Sequence, residues 1–393
     1  MMLGLLLARA GLEVVVLEKH ADFLRDFRGD TVHPSTLEVL HELGLLEEFL
    51  RRPHQEVSEI AAVIGGVRVR IADFSHLPTR ARFVAFMPQW EFLDFLAEQG
   101  RKLPDFAVRM QTEAVGLVEE AGRVVGVRAV GPEGPLELRA ELVVAADGRG
   151  STLRAAAGLE VQDLGAPMDV LWLRLSRKPG DPRQAMGYFG QGHVFVMLDR
   201  GDYWQCGFVI PKGALETLER REVAWLRNEI AALVPFLADR VGELATWDDA
   251  KLLTVKVDRL HEWSKPGLLC IGDAAHAMSP VGGIGINLAI QDAVAAANLL
   301  VPALRRGTPT GEELRAVQRR RELPTRITQA VQILAQNRVI APTLAGAPVR
   351  VPLPVRLLDR FPRLRRLPAR AIGLGVRPEH VRFPLRAVSG GFR

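Results

Sequence analysis

The chain has 393 residues, enough for two or three domains that share large cores. It is 48% hydrophobic and 25% charged, which excludes wholesale disorder. Its two cysteines, Cys206 and Cys270, exclude a disulfide scaffold and a four-thiolate zinc site. The net charge is +5, but residues 341–393 hold 11 Arg, no Lys and two acids, so that tail alone carries +9 and the rest sums to −4. The basic balance belongs to the tail and does not mark a nucleic-acid-binding body.

Taken in chain order, Leu3, Leu6, Leu7 and Ala10 recur at helical spacing, so residues 2–10 read as a helix stopped by Gly11. The run from Glu13 to Glu18 reads as a buried parallel strand ending in an acid. Helix, tight turn, apolar strand and terminal Glu form the second half of a Rossmann βαβ unit. The first strand and its Gly-rich turn do not appear in the sequence as written. Residues 34–50 read as one helix opened by Pro34, and residues 57–87 as short antiparallel strands. A helix is expected over 90–98, a hairpin over 113–130 turning at Ala121-Gly122, and an apolar strand over 142–146 that ends in Asp147-Gly148.

From about 165 to 257 strand-like alternation dominates, with a hairpin at Gly201-Asp202 and one helix near 215–238. The apolar strand type returns at Leu268, followed by Gly272-Asp273 and helices from about 285 and over 311–339. The last 50 residues predict only short helical pieces. The longest apolar stretch, Val281 to Leu300, is interrupted by Asn287, Gln291, Asp292 and Asn298, so no integral membrane span is expected. The apolar start carries no charge ahead of it and runs straight into a strand, so no signal peptide is expected either.

Three acids, Glu18, Asp147 and Asp273, fall at or just beyond the ends of apolar strands. Ligands of open α/β sheets bind at those carboxyl ends, where an acid suits the hydroxyls of a ribose or ribityl chain. The competing reading is that each acid caps the following helix. The most informative segment runs from Gly272 to Asn287. Pro280 stiffens a loop whose Gly282, Gly283 and Gly285 allow unusual backbone angles and close approach of a flat ligand. The helix that follows turns its free N–H groups and positive dipole end toward that loop, which favours a ligand that becomes anionic there, such as a reduced flavin ring. His276 has no second His or carboxylate at metal spacing, and no metal site is expected.

Here the chain resembles the class A flavoprotein monooxygenases, the group of para-hydroxybenzoate hydroxylase. The resemblance runs from the first residues to about 340. The middle fingerprint of that family matches Asp147-Gly148-Arg-Gly-Ser151-Thr-Leu-Arg154. The C-terminal one matches Gly272-Asp-Ala-Ala-His276 with Pro280 and Gly283-Ile-Gly285-Ile286-Asn287, although Ile284 stands where the family often has Gln. The N-terminal Gly-rich fingerprint is absent. We expect a start codon upstream of Met1, with on the order of 10–20 further residues to complete the βαβ unit; the alternative is an inactive remnant.

The resemblance implies an α/β fold: a Rossmann-like FAD-binding domain from residues 1–164 and 258–340, and an inserted antiparallel-sheet substrate domain over 165–257. Residues 57–88 would add strands on the substrate side, and 341–393 would form a basic C-terminal segment. It implies FAD as cofactor, with Glu18 on the adenosine ribose, Arg28 near the phosphates and Gln89 on the ribityl side. Asp147 and Gly148 would position cofactor and nicotinamide, Gly272 and Asp273 would meet the ribityl chain, and Gly283 to Asn287 would lie along the pyrimidine edge of the flavin. Pro280 would line the substrate side of the ring as the one candidate catalytic residue. Arg154 serves either this site or its own short helix.

The implied reaction is hydroxylation of an aromatic or similar electron-rich small molecule with NAD(P)H and O2 through a flavin hydroperoxide. A flavin reductase or epoxidase acting on an isoprenoid is the same-fold alternative. A cytoplasmic enzyme follows, with no nucleic-acid partner and room for a homodimer. For the tail, Pro362 and Pro368 break any continuous amphipathic helix, so a packed or interface segment is expected rather than a membrane-bound one.

Overall fold

The computed structural model describes residues 1–24, 31–182, 186–190 and 192–386. Its opening helix is Met2–Arg9, and all eight residues are buried. It packs on the long helix Gly285–Arg306 and on Gln89–Arg101. The strand that follows, Val14–Leu17, pairs in parallel with Phe106–Arg109. It was expected to be fully buried, yet Val15 is 42% exposed. Among the described residues it is paired along one edge only, and a strand at a sheet edge keeps one flank open.

A second parallel pair sets Val143–Ala145 beside Leu268–Cys270, with Ala145 opposite Cys270. Both strands stop in Gly-containing turns, so two segments about 125 positions apart in the chain end side by side. Burial of Cys270 pushes its thiol up to about 12, which leaves it an inert core residue. Cys206, also buried, is shifted up for the same reason.

The other large unit is a seven-stranded sheet, in the order Lys251–Leu253, Met168–Ser176, Tyr203–Pro211, His193–Asp199, Met186–Gly190, Glu59–Ile64 and Val67–Asp73. Its last two strands come from the early hairpin turned by Gly65-Gly66, and Glu59–Ile64 joins Met186–Gly190 in parallel. One face is covered by the helix Val223–Leu233, whose Leu226 and Ile230 bury against Phe195 and Phe208. The opposite face carries Val170, Val194 and Val209 and packs against Val281 and Ile340.

Two expected helices are broken. Residues 34–50 split into Pro34–Glu42 and Leu46–Phe49. Gly44 takes a φ of 71°, and the N–H groups of Gly44 and Leu45 donate to His41 O and Leu40 O, a Schellman stop. Residues 215–238 split into Leu215–Glu219, Val223–Leu233 and a 3-10 turn at Pro235–Leu237. The hairpin over 113–130 forms as expected, with Ala121 and Gly122 both at positive φ, but a third strand, Gly134–Arg139, extends it.

The helix Gly285–Arg306 runs through the main core beside Gly311–Ala335. By length and composition Val281–Arg306 is apolar enough to cross a membrane, but 67% of its apolar window is buried inside the protein. Beyond it, Leu353–Arg360 and Arg366–Gly373 pack on Val67–Asp73.

This tail bears on His33. The ring is 1% exposed and its Nδ1 lies 2.8 Å from Ile372 O in the tail helix. Burial lowers its pKa to about 4, although the bond to Ile372 works the other way. The folded value lies below the unfolded one, so the unfolded chain takes up the proton first. Stability from the neutral ring is therefore full above about pH 6.5 and is lost as pH falls toward 4. We expect the wild type to lose on the order of 2–3 kcal/mol more than His33→Gln over that interval, measured as denaturant midpoints at stepped pH.

Candidate active site

The site is built around the turn after Leu268–Cys270. Ile271 continues the pairing through its N–H to Ala145 O, and Gly272 then takes a φ of 59°. A Cβ on Gly272 would lie 3.0 Å from Ala289 Cβ, so glycine lets the turn sit directly on the long helix. The Gly272 N–H donates to Asp292 Oδ2. Asp292 is fully buried and also takes His276 Nε2 at 2.6 Å and Arg321 Nε at 3.0 Å. Burial alone would raise this carboxyl; His276 and Arg321 outweigh it and hold it below the usual carboxylate range. Arg321 continues to Glu379, which Arg320 also meets at 2.6 Å. His276 is thus a buried structural residue, its ring tilted against Trp263 with centroids 4.9 Å apart.

The loop Ala277–Val281 is held from the other side by the helix Gly311–Ala335 and its continuation. Gln329 Nε2 donates to Ala277 O and Asp258 O. Gln332 Nε2 donates to Ser279 O and Val281 O, and Gln336 Nε2 to Ser279 Oγ. Each of the first two amides spends both N–H bonds on backbone carbonyls of the loop or of the strand beside it. Sequence reasoning missed these residues. Their spacing of three and four positions, one helical face, was the available signal. Gln336 opens a π-helical turn, Gln336–Ile340.

Beyond Pro280 the chain turns through Gly282 and Gly283, at φ of 80° and 62°. A Cβ on Gly283 would fall 2.4 Å from Thr31 Oγ1, which itself donates to Gly283 O at 2.9 Å. Gly285 differs from its sequence reading. It is the first residue of the long helix, and a Cβ there would meet Met278 Cβ at an ordinary 3.7 Å. Neither backbone angle nor protein packing demands glycine at 285. By helix geometry the N–H groups of Gly285, Ile286 and Asn287 have no intrahelical acceptor and face the loop. Ile286 is half-buried.

The Asn287 side chain is fully committed to protein. Its Oδ1 accepts from His33 N and Thr36 Oγ1, and its Nδ2 donates to Thr31 O and Gly283 O. It locks the strand Thr31–Val32 and the helix Pro34–Glu42 to the loop, leaving its backbone to face a ligand.

Of the three strand-end acids, the fold brings two to one edge. Asp273 is partly exposed and accepts Arg149 Nε at 3.0 Å. Ser151 caps Thr152–Ala156 by accepting from Arg154 N, and Asp147 braces that cap by accepting from Ser151 Oγ and Leu153 N. Gly148 has a φ of 87°, and a Cβ there would meet no protein atom. Glu18 stands at the end of the other parallel pair and accepts from His20 N. Gln89 opens its helix half-buried, and its amide makes no hydrogen bond among the described residues. Arg28 lies outside the described residues. Arg154 donates to Ala274 O and Arg149 O and sits 3.6 Å from Asp258, tying both turns together. Arg149 itself was quoted in the motif, but its link to Asp273 was not foreseen. No cluster of His, Cys, Asp or Glu suited to a metal occurs among the described residues.

This donor set suits an extended ligand with hydroxyls and an anionic, flat end. Parallel strands end beside one another, an acid and an arginine face the edge, and a glycine turn delivers free helix N–H groups. The comparisons agree. The sequence matches the FAD binding domain family over residues 1–331. It is 34% identical over 385 residues to 6-methylpretetramide 4-monooxygenase of Streptomyces rimosus, covering 98% of this chain and 91% of the relative. A probable FAD-dependent monooxygenase from Pseudomonas aeruginosa superposes with a TM-score of 0.74 at 23% identity, covering 88% of this chain and 95% of that one. The p-nitrophenol 4-monooxygenase of Pseudomonas putida gives 0.74 at 21%, over 94% and 93%.

The fold is an α/β, para-hydroxybenzoate-hydroxylase-like architecture, and with the family match and the 34% identical relative it defines a flavoprotein oxygenase. The chain belongs to the FAD binding domain family, and it is an FAD-dependent aromatic-ring monooxygenase.

Two outcomes follow. Asp292→Asn leaves the buried Arg321 with Glu379, at 3.5 Å, as its remaining carboxylate, and we expect a loss of about 3–5 kcal/mol in denaturant melts; a change under about 1 kcal/mol would show that the pairing is not needed. Gly283→Ala forces an L side chain into a left-handed angle against Thr31. A cost of about 1–3 kcal/mol should lower flavin content after purification, with FAD affinity down tenfold or more. Equal 450-nm absorbance per protein in both forms would count against that role for the turn; the wavelength is about where oxidised flavins absorb.

Proposed function

We propose that this enzyme hydroxylates a multi-ring phenolic substrate, using NAD(P)H as reductant and O2 as the oxygen source. The substrate class rests on the relative that acts on 6-methylpretetramide, which matches nearly the whole chain. The observation that carries the reading is the apolar wall opposite the glycine loop. Val281 of that loop packs into the buried cluster of Val170, Val194 and Val209 on the face of the seven-stranded sheet that is turned toward the loop, with Trp172 alongside. A flat apolar molecule held there would lie between Pro280 and the sheet, with water excluded by valine and tryptophan surfaces.

When bound, FAD supplies the electron transfer and oxygen activation that no side chain here can perform. The chain's own groups do the holding. Glu18 would take the adenosine ribose, Gln89 and Asp273 the ribityl hydroxyls, and Gly148 would allow close backbone approach. The free N–H groups of Gly285, Ile286 and Asn287 would face the pyrimidine edge and favour negative charge there. Pro280 would border the substrate, and Gln329, Gln332 and Gln336 would keep its loop in register. The two free, buried thiols suit the reducing cytoplasm, where NAD(P)H is at hand.

The test is turnover of flavin-loaded enzyme with NADH or NADPH and a panel of mono- and multi-ring phenols. One oxygen atom inserted per reductant consumed is the expected result; reductant consumption that yields only hydrogen peroxide across the panel would defeat the reading. Trp172→Ala should raise KM about tenfold, the scale of one aromatic contact, while flavin content stays at the wild-type level.

A further inference from the structure

The tail carries a surface that the oxygenase reaction does not use. The helices Leu353–Arg360 and Arg366–Gly373 press one side onto the strand Val67–Asp73. The outward side shows Leu353, Leu357, Phe361, Leu364 and Leu367, exposed by 68, 43, 50, 38 and 67%. They recur every three or four residues along the two helices and the 3-10 turn Pro362–Arg365 between them. Isolated exposed apolar residues are ordinary; five within fifteen residues are not.

Along the same segment stand Arg356, Arg360, Arg363, Arg366 and Arg370, all exposed. None has a carboxylate partner among the described residues: Arg360 lies over Phe361, and Arg366 meets a His76 ring nitrogen. Elsewhere on the surface comparable arginines are neutralised, as Arg139 is by Glu120 at 2.6 Å and Arg319 by Glu312 at 2.7 Å. The two acids of the tail are spent inward. Asp359 binds Arg70 N and faces Arg365, and Glu379 binds Arg320 and Arg321.

We propose that this face docks on an anionic phospholipid bilayer surface, with the leucines and phenylalanine entering the headgroup region and the arginines meeting lipid phosphates. Exposed apolar residues interspersed with unneutralised arginines have the composition of an interfacial element. Pro362 and Pro368 do not prevent this, because each short helix is held separately by packing on the same strand, Val67–Asp73. A second copy is the poorer occupant. A two-fold contact through this face would set one arginine field against itself.

The test is co-sedimentation of the flavin-loaded full chain with vesicles of phosphatidylglycerol and phosphatidylcholine, and with phosphatidylcholine alone. Binding to the anionic vesicles at about 50 mM salt, largely lost at about 500 mM, is expected. L353S/L367S and R356E/R363E should each weaken it about tenfold or more, with the flavin spectrum and Tm of each variant showing that it is folded. No binding to anionic vesicles, or equal binding to neutral ones, overturns the proposal. So does light scattering that shows a dimer dissolved by L353S/L367S without vesicle binding, or capture of an acidic protein in place of lipid.

Discussion

Asp292 is the charge on which the rest of the site depends. One carboxylate, wholly inside the protein, receives the Gly272 N–H, His276 and Arg321. A buried carboxylate tolerates no loss of partners, so these bonds fix four pieces of chain at once. The turn after the parallel strand, the long core helix, the glutamine helix and, through Glu379, the tail all meet there. The stability of such a cluster against an apolar replacement is modest or nil. Its effect here is positional: it sets where the loop after Gly272 begins.

From that origin the loop is shaped by backbone bonds rather than by side chains reaching into the cleft. Gln329, Gln332 and Gln336 hold its carbonyls and its serine from one side, and Asn287 and Thr31 hold the glycine turn from the other. The consequence is a stretch that shows a ligand mostly main-chain N–H groups at a helix start. Such groups are already oriented before a charge develops, so little reorganisation is needed when it does. This is the arrangement that suits a protein whose cofactor does the chemistry.

Much of this was legible in the sequence because it rests on short-range rules. Gly-Asp after an apolar run, Pro280 and the glycines at 283 and 285 marked the loop, and they marked it in the right place. The broken helix at Gly44 was legible too, through Gly after His41-Glu42-Leu43, and was overlooked. Other features had no local signal. Asn287 reads as a ligand contact from its motif, yet its amide is consumed by Thr31, His33 and Thr36, more than 250 positions away. The strands Glu59–Ile64 and Val67–Asp73 alternate as any hairpin does; nothing in them names Met186–Gly190 as the next strand.

By itself, the sequence determined the class of fold, the glycine loop with its strand and helix, and the uneven charge that isolates the last 53 residues. These depend on periodicity, residue shape and composition, which act over a few neighbours. Tertiary structure alone decided which polar groups remain free for a ligand and which are consumed inside the protein, and which face of the tail is left open. A hydrogen-bonding group or a leucine has no role until its neighbours in space are fixed, and those neighbours lie far away along the chain.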